Sequence, residues 1–427
     1  MIIHPAKKLS GLLHLPGDKS ISHRAAMFAA MAKGTSEITN FAASADCGST
    51  IGCLKALGIE IGRSGPDVVV TGGTFVPPQK PLDCGNSGTT MRLMAGILAG
   101  RQVGAELTGD ASLSSRPMGR VIAPLSEMGA EIKSNDGTAP LIIEPHRPLK
   151  GTDHRLRIAS AQIKSCLLLA GLGARGVTSI HEPAPTRDHT ERMLRWFGVD
   201  IDSATPGVIS IRGGQTLSAR SFSVPGDISS AAFFLVAAAC LDGSDLTLKG
   251  VGLNPTRIGI IDVLRQAGIG LSISAERLEC GEPVGDIVIR GSAGKLSSLP
   301  LLRLGGDFIA NVIDEIPILA ILGTQVSGGV EIRDASELRV KESDRIRAVV
   351  DGLRRMGSDV EEYDDGLTVR PSRLCGARID SHGDHRIAMA FAVAGLLAEG
   401  ETEILDADCV DVSFPGFFET LRSVVIS

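Results

Sequence analysis

Six times along its 427 residues, the chain sets a Gly- or Ser-rich turn in front of an apolar, Ala/Leu/Met-rich helix. The copies begin near Gly17, Gly85, Ala159, Gly226, Asp314 and Gly383. They recur roughly every 70 residues, so the chain reads as copies of one unit. A helix N-terminus carries free N–H groups and the positive end of the helix dipole, which suits anions. Repetition of that feature, with Lys or Arg added in several copies, predicts a convergent anion pocket.

Each unit has further matched parts. Strands are predicted after the first helix at 36–41, 105–110, 177–183, 245–251, 329–334 and 401–406. A second, periodic helix then ends on Gly58, Gly129, Gly198, Gly268 and Gly357, the αL stop expected past a helix. Alternating strands close the unit, for example 68–71, 208–212, 286–290 and 367–370. The unit is βαβαββ. The sixth copy is cut short: its second helix, 417–425, is expected to run to the chain end with no strands after it. The strand-like stretch 2–15 is expected to complete that sixth unit.

Leu15-Pro16-Gly17-Asp18 and Val224-Pro225-Gly226-Asp227 are close copies. They are read as crossovers, or hinges, near 15–18 and 224–227. The chain then divides into a domain of repeats 1–3 (16–225) and a domain of repeats 4–6 (1–15 plus 226–427), with a ligand cleft expected at a domain interface.

The composition is 43% hydrophobic but only 3% aromatic, so an aliphatic core of closely packed small-residue helices is expected. No run of 18 apolar residues and no signal-like segment occurs, which predicts a cytoplasmic protein that neither spans nor enters a membrane. The net charge of −6 argues against nucleic acid as a partner. The eight cysteines show no CxxC spacing or Cys/His cluster, so free buried thiols and no metal are expected.

Basic residues gather at the repeat openings: Lys19 and Arg24, Arg92, Arg116, Lys164, Arg187, Lys341 and Arg345, and Arg386. One such residue could be a solvated surface charge. The set recurs beside Gly and Ser at equivalent places, which random surface charge does not do. The fourth copy, Gly226-Asp227-Ile228-Ser229, keeps the frame but drops Lys and Arg. One asymmetric site is therefore expected, not six equal ones.

These residues also carry a family resemblance. Pro16-Gly17-Asp18-Lys19-Ser20-Ile21-Ser22-His23-Arg24 resembles the N-terminal signature of the 5-enolpyruvylshikimate-3-phosphate (EPSP) synthase family. So do Gly85-Asn86-Ser87-Gly88-Thr89 through Arg92, Arg116-Pro117-Met118-Gly119, Ser160-Ala161-Gln162, Asp314-Glu315, Leu338 through Arg345, and Gly383-Asp384-His385-Arg386. Their order is that of the family, across nearly the whole chain.

The resemblance implies an α/β fold: a two-domain, inside-out α/β barrel of six βαβαββ repeats that closes on substrate. It implies a monomeric transferase, 3-phosphoshikimate 1-carboxyvinyltransferase, which moves the enolpyruvyl group of phosphoenolpyruvate to the 5-hydroxyl of shikimate 3-phosphate on the route to chorismate and the aromatic amino acids. No cofactor is implied, and glyphosate is the implied inhibitor. Shikimate 3-phosphate would be held by Lys19, Ser20, Arg24, Ser160, Ala161, Gln162, Arg187, Asp314 and Lys341. Phosphoenolpyruvate would be held by Lys19, Asn86, Gly88, Arg116, Gln162, Arg345 and Arg386, whose forked guanidinium groups suit phosphate and carboxylate. Asp314 would accept a proton, Glu342 would donate one, and Lys19 would act beside them. A helix N-cap is the structural alternative for Asp314, and an ion pair with Lys341 or Arg345 for Glu342.

Ala161 stands where some members have a second Ser, Leu93 where some have Pro, and Val412 where many have Lys. With Thr186-Arg187-Asp188-His189-Thr190, these features resemble a second bacterial class of the family. The rival readings are the sister transferase acting on UDP-N-acetylglucosamine, an RNA-terminal-phosphate cyclase, and a non-enzymatic phosphate-binding repeat. The loop 110–116 lacks the Cys usual in the first.

Overall fold

A computed structural model describes residues 1–291, 293–296 and 299–426. Six buried helices follow the six predicted openings: α1 (Lys19–Met31), α2 (Gly88–Arg101), α3 (Ala161–Leu172), α4 (Ile228–Cys240), α5 (Ile316–Gln325) and α6 (His385–Leu397). They are apolar nearly all round, so they can only be stable inside a core. Five have side-chain caps. Asp18 accepts from Ile21 N–H, Ser87 from Thr90, Ser160 from Ile163, Asp227 from Ser229 and Asp384 from Arg386. The second helices end as the sequence predicts, with Gly58, Gly129, Gly198, Gly268 and Gly357 at positive φ.

The chain divides into two units. A terminal unit comprises Met1–Pro16, Gly226–Arg277 and Pro283–Ser427; a central unit comprises Gly17–Pro225 and Leu278–Glu282. Each has one continuous hydrophobic core, mainly aliphatic, although that of the terminal unit also holds a cluster of rings from Phe233, Phe234, Phe414, Phe417 and Phe418. In the central unit the sheets cover the helices with one face in and one face out, as the alternating burial of Thr35–Thr39 and Asp67–Thr71 shows.

Five of the six sheets described share one plan. A leading strand pairs parallel with the strand after the buried helix, and an antiparallel hairpin follows. Asp153–Arg155 pairs in this way with Val177–His181, which pairs with Val208–Arg212. In repeats 1 and 4 the leading strands are exchanged. Lys8–His14, which precedes α1, pairs parallel with Asp245–Gly252 of repeat 4. Phe222–Ser223, which precedes α4, pairs parallel with Thr35–Thr39 of repeat 1. The chain therefore changes unit after Pro16 and after Pro225. Gly17 is required there because a Cβ would lie 1.9 Å from Asn40 O.

This exchange corrects one expectation. Only Ile2–Ile3 joins the sixth repeat, antiparallel to Thr402–Leu405; the longer strand Lys8–His14 belongs to the fourth. Nor does the last helix end the ordered structure. Phe417–Val424 is followed by Val425–Ile426, which pairs with Lys8–Leu9. Six cysteines are buried, but Cys375 is exposed and Cys409 partly so, against the expectation of uniformly buried thiols.

α2 and α3 approach to backbone contact. A Cβ on Gly96 would lie 2.2 Å from Cys166 O, and one on Gly173 would lie 1.8 Å from Gly100 O. Gly96→Ala therefore sets two effects against each other. Helix propensity favours Ala by up to ~1 kcal/mol. Forcing two backbones apart costs about 1–3 kcal/mol. We expect the steric term to win and the urea midpoint to fall; a midpoint at or above wild type would refute this packing.

Candidate active site

In the central unit, three helix N-termini are tied together by polar side chains. Lys19, first residue of α1, donates to Asp46 Oδ2 at 3.1 Å. Arg24, one turn on and buried, donates to Ser20 O at 2.8 Å, to Thr190 Oγ1 at 2.7 Å and to Ser165 Oγ of α3 at 2.8 Å. Burial pushes its guanidinium down to about 10, partly opposed by Glu191. Arg92 of α2 donates to Gln162 Oε1 of α3 at 2.6 Å, and Gln162 Nε2 donates to Thr89 Oγ1 at 3.0 Å. Arg116 donates to Asn86 Oδ1 at 2.6 Å, and Asn86 donates to Asp110 Oδ2 at 2.7 Å. Ser160 caps α3 and Ala161 is its first residue.

Gly88 opens α2 directly beneath these guanidinium groups. A Cβ there would lie 2.8 Å from Arg92 Nη1 and 3.6 Å from Arg116 Nη1. Arg187 lies half-buried on the loop between the strand Val177–His181 and the helix His189–Trp196. The central unit thus brings together Lys19, Ser20, Arg24, Asn86, Gly88, Arg116, Ser160, Ala161, Gln162 and Arg187 at or near the openings of α1–α3.

In the terminal unit, the centre of the arrangement is Arg345, only 1% exposed. Its Nε donates to Asp384 Oδ2 at 2.8 Å, and its Nη2 donates to Glu342 Oε2 at 2.6 Å. Its Nη1 lies 3.5 Å from Asp314 Oδ1. Arg386 donates to Asp314 O at 2.9 Å and lies 3.7 Å from Asp314 Oδ2. Burial works against the Arg345 charge, but Asp384 and Glu342 more than offset it and hold the group above its ordinary range. Burial likewise opposes ionisation of Asp384, yet Arg345 outweighs it and keeps the carboxyl below its usual range. Burial pushes the Lys341 ammonium down, with Asp314 acting against it.

Asp314 does not cap α5. The N-cap is Glu315, without a side-chain bond to the helix, and the Asp314 carboxylate faces Arg345 and Arg386 instead. Glu342 does make the expected ion pair, with Arg345. The diverged fourth copy has a scaffolding use. Arg257 donates to Ser229 Oγ at 2.6 Å and pairs with Asp227 at 3.3 Å, while Ser229 donates to Glu315 beside Asp314. Val412 ends a short 3-10 turn, Ala407–Val412.

Asp384 and Glu315 stand in motifs quoted above but had no role assigned from sequence, and Asp46 and Arg257 were not singled out at all. The recurring Gly-Asp pairs Gly17-Asp18, Gly226-Asp227 and Gly383-Asp384 were a signal for Asp384 as a helix cap. Asp46 and Arg257 lie far along the chain from the groups they hold and carried no signal. Among the described residues, no group of three His, Cys, Asp or Glu could hold a metal ion, and no helix is long and apolar enough to cross a membrane.

The comparisons with known proteins agree on one family. The family model for EPSP synthase (3-phosphoshikimate 1-carboxyvinyltransferase) matches residues 3–421. The 3-phosphoshikimate 1-carboxyvinyltransferase of Geobacillus kaustophilus is 51% identical, over 98% of each chain. That of Desulforamulus reducens is 48% identical, over 100% of this chain and 99% of its own. A solved EPSP synthase structure from Acinetobacter baumannii superposes with a TM-score of 0.88 at 43% identity, covering 100% of this chain and 98% of that one.

His23 lies between Lys19 and Arg24 and is wholly buried. Its Nδ1 meets Thr50 Oγ1 at 2.7 Å; Thr50 meets Thr90 Oγ1 at 2.7 Å; Thr90 donates to the α2 cap Ser87 at 2.8 Å. Burial, reinforced by the Lys19 and Arg24 charges, pushes the imidazole down to about 3. In the unfolded chain the same group takes up a proton near 6.5. Between those values the unfolded state binds more protons, so stability falls with falling pH by up to ~1.4 kcal/mol per unit from this group. We expect His23→Asn to flatten the loss of urea midpoint between about pH 7 and about pH 5. An unchanged slope would show that His23 is not the neutral, buried group described.

Proposed function

Because the chain belongs to the EPSP synthase family, and so transfers the enolpyruvyl group of phosphoenolpyruvate to the 5-hydroxyl of shikimate 3-phosphate with release of phosphate, we propose a division of that reaction among its residues. The observation that carries the proposal is the pair of carboxylates, Asp314 and Glu342, held on one buried guanidinium, Arg345. Two carboxylates fixed around one cation can exchange opposite proton tasks without moving far.

Lys19, Ser20, Arg24, Ser160, Ala161, Gln162 and Arg187, with Asp314 and Lys341, hold shikimate 3-phosphate. Lys19, Asn86, Gly88, Arg116, Gln162, Arg345 and Arg386 hold phosphoenolpyruvate. Asp314 takes the proton of the 5-hydroxyl as its oxygen bonds to C2 of phosphoenolpyruvate. Glu342 gives a proton to C3, and a tetrahedral intermediate results. C3 then loses a proton, the C2–O bond to phosphate breaks, and the double bond re-forms. Lys19 and the arginines meet the departing phosphate with charges already in place, so little reorganisation is needed. Residues 15–18 and 224–227 act as hinges that let the protein, a cytoplasmic monomer, close on its substrates.

Asp314→Asn keeps the shape but loses the base. We expect turnover to fall by about two orders of magnitude or more, the scale of a general-base contribution, with a smaller loss in shikimate 3-phosphate affinity. Near wild-type turnover would remove Asp314 from the chemistry.

Glyphosate, a small dianion, competes for the phosphoenolpyruvate subsite in this reading. The methyl of Gly88→Ala would press on Arg92 Nη1, 2.8 Å away, and loosen the cluster that Gln162 shares. We expect the glyphosate inhibition constant, divided by the KM for phosphoenolpyruvate, to rise in the variant. A ratio that stays level or drops would place Gly88 outside the inhibitor site.

A further inference from the structure

One buried cation in the central unit is not accounted for by substrate binding. Lys164 lies on α3, one turn past Ser160, and is 1% exposed. Its Nζ is 2.9 Å from Glu182 Oε2 and 2.8 Å from Glu191 Oε1, and it donates to Thr186 O at 3.4 Å. Thr186 Oγ1 also donates to Glu182. One ammonium therefore grips the start of a loop at Glu182, its far end at Thr186, and the helix His189–Trp196 at Glu191. The loop carries Arg187.

The residues on either side of Arg187 are all tied to the scaffold. Asp188 accepts from Arg192 at 2.8 Å, His189 Nδ1 meets Glu282 Oε1 at 2.8 Å, and Thr190 accepts from Arg24. A buried Lys with two carboxylates is a poor source of net stability, because the cost of removing the charges from water offsets much of their attraction. An apolar side chain of similar length would pack the helix as well. What the ammonium supplies is geometry: three acceptors on three segments must meet one point. Burial raises the Glu191 carboxyl above its usual range, and Lys164 pulls it back.

We propose that Lys164 is a positioning residue for the shikimate 3-phosphate site: by clamping Glu182, Thr186 and Glu191 it fixes the loop that presents Arg187 to the substrate. The inference rests on the reading of Arg187 as a shikimate 3-phosphate ligand. Lys164 touches no substrate; it acts through the loop.

The test is steady-state kinetics of Lys164→Met, Lys164→Arg, Glu182→Gln and Arg187→Met. Losing the use of one charge-assisted contact corresponds to roughly a tenfold or greater change in affinity. Lys164→Met is expected to raise the KM for shikimate 3-phosphate on that scale and leave the KM for phosphoenolpyruvate nearly unchanged. Lys164→Arg, which keeps the charge, is expected to restore most of the loss.

A pH signature separates positioning from general damage. In Lys164→Met, Glu182 and Glu191 face each other without their counter-ion. The other charges around them are Asp188 at the N-cap of the helix that carries Glu191, Arg24 on α1 and Arg187 on the loop. As the pH falls, Glu191, whose carboxyl burial already raises, takes up a proton, its repulsion of Glu182 is relieved and the loop closes. The variant's KM for shikimate 3-phosphate, divided by the wild-type value at each pH, should fall from about pH 8 to about pH 6. A KM equal to wild type, or equal losses in every kinetic constant with a flat pH ratio, overturns the proposal. If Lys164→Met does not fold, Glu182→Gln decides. It keeps Lys164 paired with Glu191 and should raise the KM for shikimate 3-phosphate alone by a few-fold, and no rise overturns the proposal. Arg187→Met separates the two layers. If it leaves that KM unchanged, the Arg187 reading fails and this inference with it. If it raises that KM while Lys164→Met does not, Arg187 stands and the role of Lys164 is overturned.

Discussion

The structure depends on backbone-to-backbone packing of short apolar helices. Gly96 against Cys166, and Gly173 against Gly100, bring α2 and α3 too close for any side chain between them. Helices packed this tightly and in parallel bring their N-termini together. Free N–H groups and dipole ends then converge, and anionic ligands are favoured before any charged side chain is counted. α2 and α3 accordingly carry no aromatic residue, because a large ring between them would hold them apart.

On that base, the charged residues solve a second problem. Guanidinium and ammonium groups gathered near helix openings repel one another. The protein interleaves them with acceptors: Asp46 at Lys19, Gln162 at Arg92, Asn86 at Arg116, Asp384 and Glu342 at Arg345. Each cation is thereby oriented, and Lys19 and Arg345, which face carboxylates, are neutralised as well. Arg345 is the extreme case, since at 1% exposure its charge would be very costly to bury without the carboxylates around it. Glu342 and Asp314 both lie on this cation, so in the proposed mechanism holding the cation and moving protons are tasks of one cluster.

Divergence among the repeats is equally physical. The fourth copy gave up Lys and Arg, and its Asp227 and Ser229, with Arg257, now hold Glu315 next to Asp314. The third copy keeps a Lys but buries it, where it clamps a loop instead of meeting a ligand. A repeat that no longer contacts an anion can still decide where its neighbour points.

The sequence by itself determined the repeat, the six helix openings, the Gly stops and the residue types of an anion site. Each of these is written in a few adjacent residues and follows from local backbone chemistry: Asp or Ser caps, Gly at positive φ, apolar periodicity. The family resemblance rested on those same short motifs, read in order. Tertiary structure alone decided what depends on pairing across long stretches of chain. The strand Lys8–His14 could have completed the sixth repeat on its pattern, but parallel pairing with Asp245–Gly252 assigns it to the fourth. Asp314 precedes a helix and reads locally as a cap, yet Arg345 and Arg386, 31 and 72 positions further on, claim its carboxylate. The partners of Lys19 and Lys164 were hidden for the same reason: an ion pair is set by distance in space, and a one-dimensional pattern records only distance along the chain.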